Sequence, residues 1–181
     1  MNMGIVMTRS ANRLAVLCVL LCCCAAAGDK PKWKSFASVD GRFEVLMPGQ
    51  VKSFDTDVAN DLGPSVLHMN VATAGETMYV ANWVDFPRDA VNELPDRMLD
   101  DSREGALENL DGELVSEKKI KLGQHPGREI VIKVEKLDRL FHARVYLVEN
   151  RLYQVLAFGP PDVVKSRESQ KFLDSFKLMK S

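Results

Sequence analysis

Three histidines, His68, His125 and His142, are the side chains best suited to acid–base or metal chemistry near neutral pH. The first and last alternate with apolar neighbours on predicted strands, whereas His125 lies in a predicted turn between Gly123 and Gly127. None has a second histidine or a carboxylate at the close spacing that metal sites on strands or helices use. The spacing therefore predicts no metal site, and each histidine is interpreted as a surface or hydrogen-bonded residue.

Motifs of the known catalytic and cofactor-binding classes are missing from the sequence. It contains no Gly-x-Ser-x-Gly nucleophile elbow, no His-Glu-x-x-His metal motif and no glycine-rich phosphate loop. A Ser-His-Asp site built from distant residues stays open as an alternative, because such triads are defined by geometry rather than by sequence. The sequence thus predicts no catalytic residue, metal or cofactor, and it favours a binding role over an enzymatic one.

Asp96, Asp100 and Glu104 recur every four residues, which places three carboxylates on one face of a predicted helix. One interpretation is a weak site for a divalent cation or a basic partner. Against it, calcium takes about six to eight oxygen ligands, usually with help from a looped backbone. The other interpretation is a solvated face of ordinary salt bridges, which the nearby Arg97 and Arg103 favour. We expect the salt-bridged face.

Aromatic residues on predicted strands are the remaining candidates for a binding surface. Core packing explains most of them, since aromatic side chains favour strands and interiors, and Trp83 is expected in the core. Tyr146 and Tyr153 flank a predicted hairpin turn at 149–150, so we expect both to be partly exposed. Together with His142, these two tyrosines form the candidate binding surface.

Short strands separated by turn signals dominate the chain after its first thirty residues. The clearest helix spans 95–110, where Pro95 suits the first turn and Gly112 follows the end. The strand at 78–86 carries large apolar groups on both faces, so we expect it in the centre of the sheet with cover on each side. Strands are predicted at 33–38, 43–47, 51–57, 65–73, 78–86, 113–122, 128–136, 139–148, 152–158 and 176–178, and a second helix at 161–174. This order predicts an α+β fold, an antiparallel sheet flanked by helices.

The N-terminal segment has the pattern of a cleavable secretory signal. Arg9 and Arg13 form a basic region, and residues 14–24 form an apolar run that is too short for a bilayer-spanning helix. Three alanines follow, so we expect cleavage between Ala27 and Gly28. An uncleaved anchor helix is the alternative if the apolar run continues through the alanines. The predicted division is a signal peptide at 1–27, a polar linker at 28–32 and one domain at 33–181.

All four cysteines lie inside this N-terminal segment, at positions 18, 22, 23 and 24. The cleaved domain is therefore expected to contain no disulfide, cysteine nucleophile or thiolate metal site. A bacterial lipoprotein acylated at Cys23 is the alternative, although Leu20, Leu21 and Cys22 lack the small residue that usually precedes a modified cysteine. Cleavage before Gly28 and acylation at Cys23 both predict export, to the periplasm or the extracellular medium, and acylation adds a lipid anchor.

The charge balance argues against a nucleic-acid partner. The chain carries 24 basic and 25 acidic side chains, and removal of Arg9 and Arg13 makes the domain slightly more acidic. Phosphate neutralisation needs clustered lysines and arginines, and no basic stripe is present. A protein or another envelope component is therefore the expected class of partner, and the sequence leaves the oligomeric state open.

Two stretches of the sequence resemble a known group of small domains. Residues 36–49, FASVDGRFEVLMPG, are similar to the opening strands of Mog1/PsbP-like α/β/α sandwich domains, and residues 171–177 are similar to their closing helix and last strand. The order of elements between them agrees, so the resemblance covers roughly residues 33–179. Members include the extrinsic photosystem II subunit and many exported bacterial proteins of unknown role, and no functional residue of the family matches here.

This resemblance implies an adaptor or binding module more often than an enzyme. The sequence therefore predicts an exported, non-enzymatic binding domain of the cell envelope. An enzyme with a dispersed site and a lipid-anchored envelope protein are the alternatives.

Overall fold

The structure is a computed structural model that describes residues 31–60, 63–88 and 95–179. The predicted signal peptide, its cleavage site between Ala27 and Gly28 and the start of the predicted linker lie outside these ranges. Within the described ranges, no helix is both long enough and apolar enough to cross a bilayer.

Seven antiparallel strands form the main sheet. They are β3 (Lys52–Asn60), β4 (Gly63–Ala74), β5 (Thr77–Asp85), β6 (Glu113–Leu122), β7 (His125–Val134), β8 (Arg139–Val148) and β9 (Arg151–Gly159). Their order is β3-β4-β5-β9-β8-β7-β6, so two meanders join through the pairing of β5 with β9. Eight of the nine residues of β5 are buried or half-buried, which confirms the expectation of a central strand with cover on both faces.

A small sheet and three helices cover the two faces of the main sheet. The small sheet contains β1 (Trp33–Ser38), β2 (Phe43–Pro48) and β10 (Lys177–Leu178), with β2 in the middle. The helices are α1 (Pro95–Leu110), α2 (Pro161–Val164) and α3 (Arg167–Asp174). The small sheet, α2 and α3 pack against one face, and α1 packs against the other. This arrangement confirms the α+β prediction.

Each face of the main sheet is closed by a different kind of core. Under the small sheet the core is aromatic: Phe43 is fully buried, and its ring lies 5.3 Å from that of Phe176 and 6.1 Å from that of Tyr153. Under α1 the core is aliphatic, with the fully buried Leu99 packed among the strand residues of β7 and β8. The two faces of the sheet are thus covered by different sets of side chains.

Most predicted strands differ from the structure by one to three residues at an end, and two of the differences have a clear physical cause. The predicted helix at 161–174 is two helices, because Ser166 begins a new helix by accepting a hydrogen bond from the backbone N–H of Ser169 at 3.3 Å. The strand predicted to begin at residue 128 begins at His125 instead. The turn before it needs only two residues, since Gly123 adopts a positive φ of 62°.

Candidate functional site

The two tyrosines of the candidate binding surface are buried, so the expectation that they are partly exposed is wrong. Tyr146 is 5% and Tyr153 is 2% exposed. Their face of the sheet is covered by β2 and by Phe176, whose ring lies 5.9 Å from that of Tyr146. The hydroxyl of Tyr153 donates to the carbonyl oxygen of Gly41 at 2.8 Å, which ties the main sheet to the turn of the small sheet. Both rings are core residues.

His142, the third member of that predicted surface, lies in a half-buried group of charges on the same face. Its Nε2 atom is 3.2 Å from Oε1 of Glu129, but it makes no well-aligned hydrogen bond to a described residue. The guanidinium of Arg144 donates to Glu129 at 2.8 Å and lies 2.8 Å from the carboxylate of Asp174. Burial tends to raise the pKa of Glu129, but Arg144 and His142 outweigh it and lower that pKa below 4.5. Glu129 is therefore a structural anion.

We expect His142 to make stability depend on pH. Burial lowers its pKa below the ordinary 6.5, Arg144 and Lys118 act in the same direction, and Glu129 opposes them. The unfolded chain therefore binds a proton that the folded chain excludes, so stability is full above the ordinary pKa and falls as pH drops through it. Urea unfolding between about pH 7 and pH 5 is expected to show a slope of up to about 1.4 kcal/mol per pH unit.

Two histidine variants distinguish the contribution of His142 to this slope from that of other titrating groups. His142→Gln is expected to flatten this slope, and His125→Gln is expected to keep it because His142 is still present. The carboxylate of Glu129 responds below pH 4.5, outside the window. A slope that survives in His142→Gln would assign the effect to another group.

A second cluster, which the sequence did not single out, brings His68 and Trp83 together with charged residues at one end of the main sheet. The Trp83 patch consists of Asp55, His68, Trp83, Asp85 and Arg151, with Val39 and Val66 at its edge. Strand register builds it, since Asp55 of β3 faces His68 of β4, and His68 faces Trp83 of β5. Arg151 comes from β9, on the other side of β5. Three strands therefore contribute the row of Asp55, His68 and Trp83, and β9 adds Arg151 opposite Asp85, two residues further along β5.

The aromatic and cationic groups of the Trp83 patch are stacked. The ring of His68 lies parallel to that of Trp83 with centroids 3.8 Å apart, and the guanidinium carbon of Arg151 lies 3.9 Å from the Trp83 centroid. Trp83 is 6% exposed, which confirms the prediction that it belongs to the core. Stacking of this kind uses the π face of the indole on both sides. Trp83 therefore supports His68, which is half-exposed, and Arg151, which is buried.

Hydrogen bonds fix both polar groups in position. Arg151 donates to the two carboxylate oxygens of Asp85 at 2.6 and 2.7 Å and to the carbonyl oxygen of Asp40 at 2.7 Å. The hydrogen bonds from Arg151 lower the pKa of Asp85, and the burial of Asp85, which raises that pKa, only partly opposes them. On the other side, Nδ1 of His68 lies 2.7 Å from Oδ1 of Asp55. The patch is thus pre-organised before any partner arrives.

The solvent-facing part of the Trp83 patch mixes polar and apolar groups. The side chains of His68 and Asp55 are 29% and 65% exposed, and at the edge Val39 is 76% and Val66 is 39% exposed. Trp83 and Arg151 lie beneath this surface, so the groups that face solvent include a histidine, a carboxylate and two valines, a mixture that contact areas between proteins use. This patch is the described surface best suited to bind another molecule.

The three carboxylates of the predicted helix face form ion pairs in the structure. Asp96 and Asp100 belong to the Arg128 cluster, which lines an open cleft of about 370 Å³ between α1 and the strands β6 and β7; its residues are Asp96, Asp100, Arg103, Glu117, Lys119 and Arg128. Arg128 lies 2.7 Å from Asp96 and 3.5 Å from Asp100, and Glu104 lies 3.1 Å from Arg103. No group of three metal-ligating side chains occurs in the described ranges. The salt-bridged interpretation of this helix face agrees with the structure.

Register explains why the sequence revealed the histidines but not the Trp83 patch. His68 and Trp83 are 15 residues apart and meet only because β4 and β5 pair with a turn at 75–76. The available signal was the alternation of both residues on neighbouring predicted strands with a short turn. Counting residues outward from the turn along both strands pairs His68 with Trp83, so the hairpin register alone places the two residues side by side.

Comparisons with known proteins identify the fold. No protein-family model matches the chain, and no curated protein matches it. Among solved structures, the chain is similar to cyanobacterial PsbP (CyanoP) from Synechocystis sp. PCC 6803, with a TM-score of 0.58 and 12% identity over 87% of this chain and 98% of that one. A Pseudomonas aeruginosa protein of unknown function aligns with 9% identity over 76% and 90% of the two chains, and its TM-score of 0.36 is too low to indicate a shared fold. The chain therefore has a PsbP-like fold, as the resemblance of residues 36–49 and 171–177 implied.

Proposed function

We propose that this chain is an exported, non-enzymatic binding or adaptor domain of the cell envelope that contacts a protein partner through the Trp83 patch. The observation that carries the proposal is the position of His68. Its ring is stacked on Trp83, fixed by Asp55 and exposed at the centre of the patch. A partner meets a side chain that is already ordered, which lowers the entropy lost on binding.

The surroundings of His68 support a protein partner over a small ligand. The cleft of about 370 Å³ lies elsewhere, at the Arg128 cluster, and is lined by ion pairs. The Trp83 patch is instead a surface with two exposed valines, Val39 and Val66, beside fixed charges. Contact areas between proteins have this combination of an anchored centre and a mixed border.

The proposed location follows from the sequence. The basic residues Arg9 and Arg13, the apolar run at 14–24 and the alanines before Gly28 support export. Acylation of Cys23 is the variant of this proposal in which the domain is held at a membrane by lipid. Mass spectrometry of the mature N-terminus separates the two, since one leaves a free Gly28 and the other an acylated cysteine.

Capture of the partner tests the proposal. We expect the tagged protein to retain one stoichiometric protein from an envelope extract, and His68→Ala or Val66→Asp to reduce that retention about tenfold or more, as loss of a hot spot does. The matched control is Leu137→Asp, because Leu137 is 51% exposed and lies outside the patch. Quantitative mass spectrometry of the retained proteins provides the measurement.

Two results would contradict this proposal. Equal loss in the patch variants and in Leu137→Asp would show that retention does not depend on the Trp83 patch. Retention of no protein by the folded wild type would remove the basis for a binding module and would direct the search to hydrolase and ligand screens.

An enzyme remains the second candidate because His68 and Asp55 form a close pair, the geometry of a general base and the carboxylate that orients it. The nearest serine on β3 does not complete a triad, since the hydroxyl of Ser53 is hydrogen-bonded to Asn70 at 2.8 Å. A nucleophile or bound water beside His68 would be required. Turnover of a generic ester substrate that disappears in His68→Ala would favour this candidate over the binding domain.

A further inference from the structure

The two edges of the main sheet are built differently. The β6 edge has an irregular register between Leu114 and Ser116, and lysines occupy positions 118, 119 and 121. Bulges, prolines and charged side chains, lysines above all, are the features by which sheet proteins prevent their edges from pairing with other chains. The β3 edge has fewer of these features: its nine residues pair with β4 in one continuous register, include no proline, and carry Lys52, Asp55 and Asp57 as their charged side chains.

β3 therefore offers a free edge to another strand. It ends the strand order of the main sheet, and no residue in the described ranges pairs with its outer side. Its side chains alternate, with Phe54 half-buried toward the α1 face and Asp55 and Asp57 exposed on the other. A partner strand therefore has to place an apolar side chain against Phe54 and to avoid a negative charge opposite Asp55 and Asp57.

We propose that a second copy of this chain pairs with β3 in antiparallel fashion across a two-fold axis that places Phe54 opposite Phe54. In this register Ser53 of one copy faces Asp55 of the other, and Lys52 faces Thr56. Registers centred on residues 55, 56 or 57 place aspartates directly opposite each other, which destabilises a strand pair. Among registers centred within 54–57, the one at Phe54 avoids this repulsion and adds an aromatic pair.

The pairing links the edge to the Trp83 patch and goes beyond the proposed function. Asp55 is the residue that holds His68, and in the dimer it faces Ser53 of the second copy. Phe54 packs beside Met69 of β4, so the pairing of two phenylalanines joins the half-buried apolar strips of the two sheets. Each copy thus contributes a hydroxyl next to the other copy's Asp55–His68 pair.

Sedimentation of the purified full chain tests the proposal without any other partner. We expect a reversible monomer–dimer equilibrium between micromolar and near-millimolar concentration. Phe54→Lys is expected to weaken the dimer about tenfold or more, because it places like charges opposite each other at the two-fold axis. Leu114→Lys, on the β6 edge where Leu114 is 44% exposed, is expected to leave the equilibrium unchanged.

Crosslinking fixes the register and does not rely on the folding of Phe54→Lys. Opposite residues of paired strands have Cβ atoms about 4.5–5.5 Å apart, so Phe54→Cys is expected to crosslink two copies through a short bis-thiol reagent. Thr56→Cys is expected to react much less, since its counterpart lies four residues further along the strand, about 13 Å away. Mass spectrometry identifies the joined peptides and separates them from any that contain cysteines 18–24.

The outcomes decide whether β3 pairs with a second copy of the chain, and they are independent of the experiment that captures an envelope protein. A monomer at every concentration overturns the proposal, as does a dimer that Phe54→Lys leaves intact or crosslinking that is stronger at 56 than at 54. None of these results bears on whether the Trp83 patch retains an envelope protein.

Discussion

Replacement of Arg128 by alanine is expected to lower the free energy of unfolding by about 2 kcal/mol, within the range for a buried polar group that loses one of its partners. The side chain of Arg128 is 5% exposed, and its Nε lies 3.3 Å from Oε1 of Glu117. Without the guanidinium, this half-buried carboxylate keeps its hydrogen bond from Arg103 at 2.9 Å but loses its second counter-ion. Asp96 contributes little to the loss because it is 67% exposed and well screened by solvent. Urea unfolding measures the effect as a shifted midpoint with an unchanged slope.

Two further variants test the cause of this loss. Arg97→Ala removes an exposed arginine from α1, 3.7 Å from Asp101, and is expected to cost less than about 0.5 kcal/mol. Arg128→Met keeps an unbranched apolar stem at position 128 and removes the charge, so it is expected to recover part of the stability that Arg128→Ala loses. If Arg128→Met is destabilised as much as Arg128→Ala, the loss comes from the ion pairs rather than from packing of the arginine stem.

The elements of this fold could be predicted because their patterns are local. The helix at Pro95–Leu110 and the strands at Glu113–Leu122 and Arg139–Val148 have the predicted bounds. Each is defined by hydrophobic periodicity and by a turn or cap at its ends. The resemblance of residues 36–49 and 171–177 then added the arrangement of layers that periodicity alone leaves open.

The site depends on contacts between distant segments, and the sequence does not reveal those. Tyr146 and Tyr153 flank a hairpin turn, a local signal of exposure, but β2 and Phe176 cover them. Arg151 follows a turn at 149–150 and gives no sign of its partners, because Asp85 and Asp40 are 66 and 111 residues away. Burial of a residue is set by the layer above it, and only tertiary structure places that layer.

Replacement of Trp83 by alanine is expected to lower the free energy of unfolding by about 3–5 kcal/mol, as large aromatic truncations in cores do. Trp83 is 6% exposed, and its indole separates His68 from Arg151. The variant loses the buried area and also the surface that holds the two polar groups, so the patch loses its order as the core loses a ring. Urea unfolding followed by fluorescence is suitable, because Trp33 remains as a probe.

Comparison with His68→Ala separates the stability of the Trp83 patch from its binding. His68 is 29% exposed and contributes one exposed pair, so its loss is expected to cost less than about 1 kcal/mol while partner retention falls. Trp83→Phe keeps a ring between His68 and Arg151 and is expected to retain more stability and more partner than Trp83→Ala. A Trp83→Ala protein that unfolds like the wild type would mean that the indole is not packed in the core. If Trp83→Phe is stable but loses the partner as fully as His68→Ala does, the stacked geometry itself is what the partner recognises.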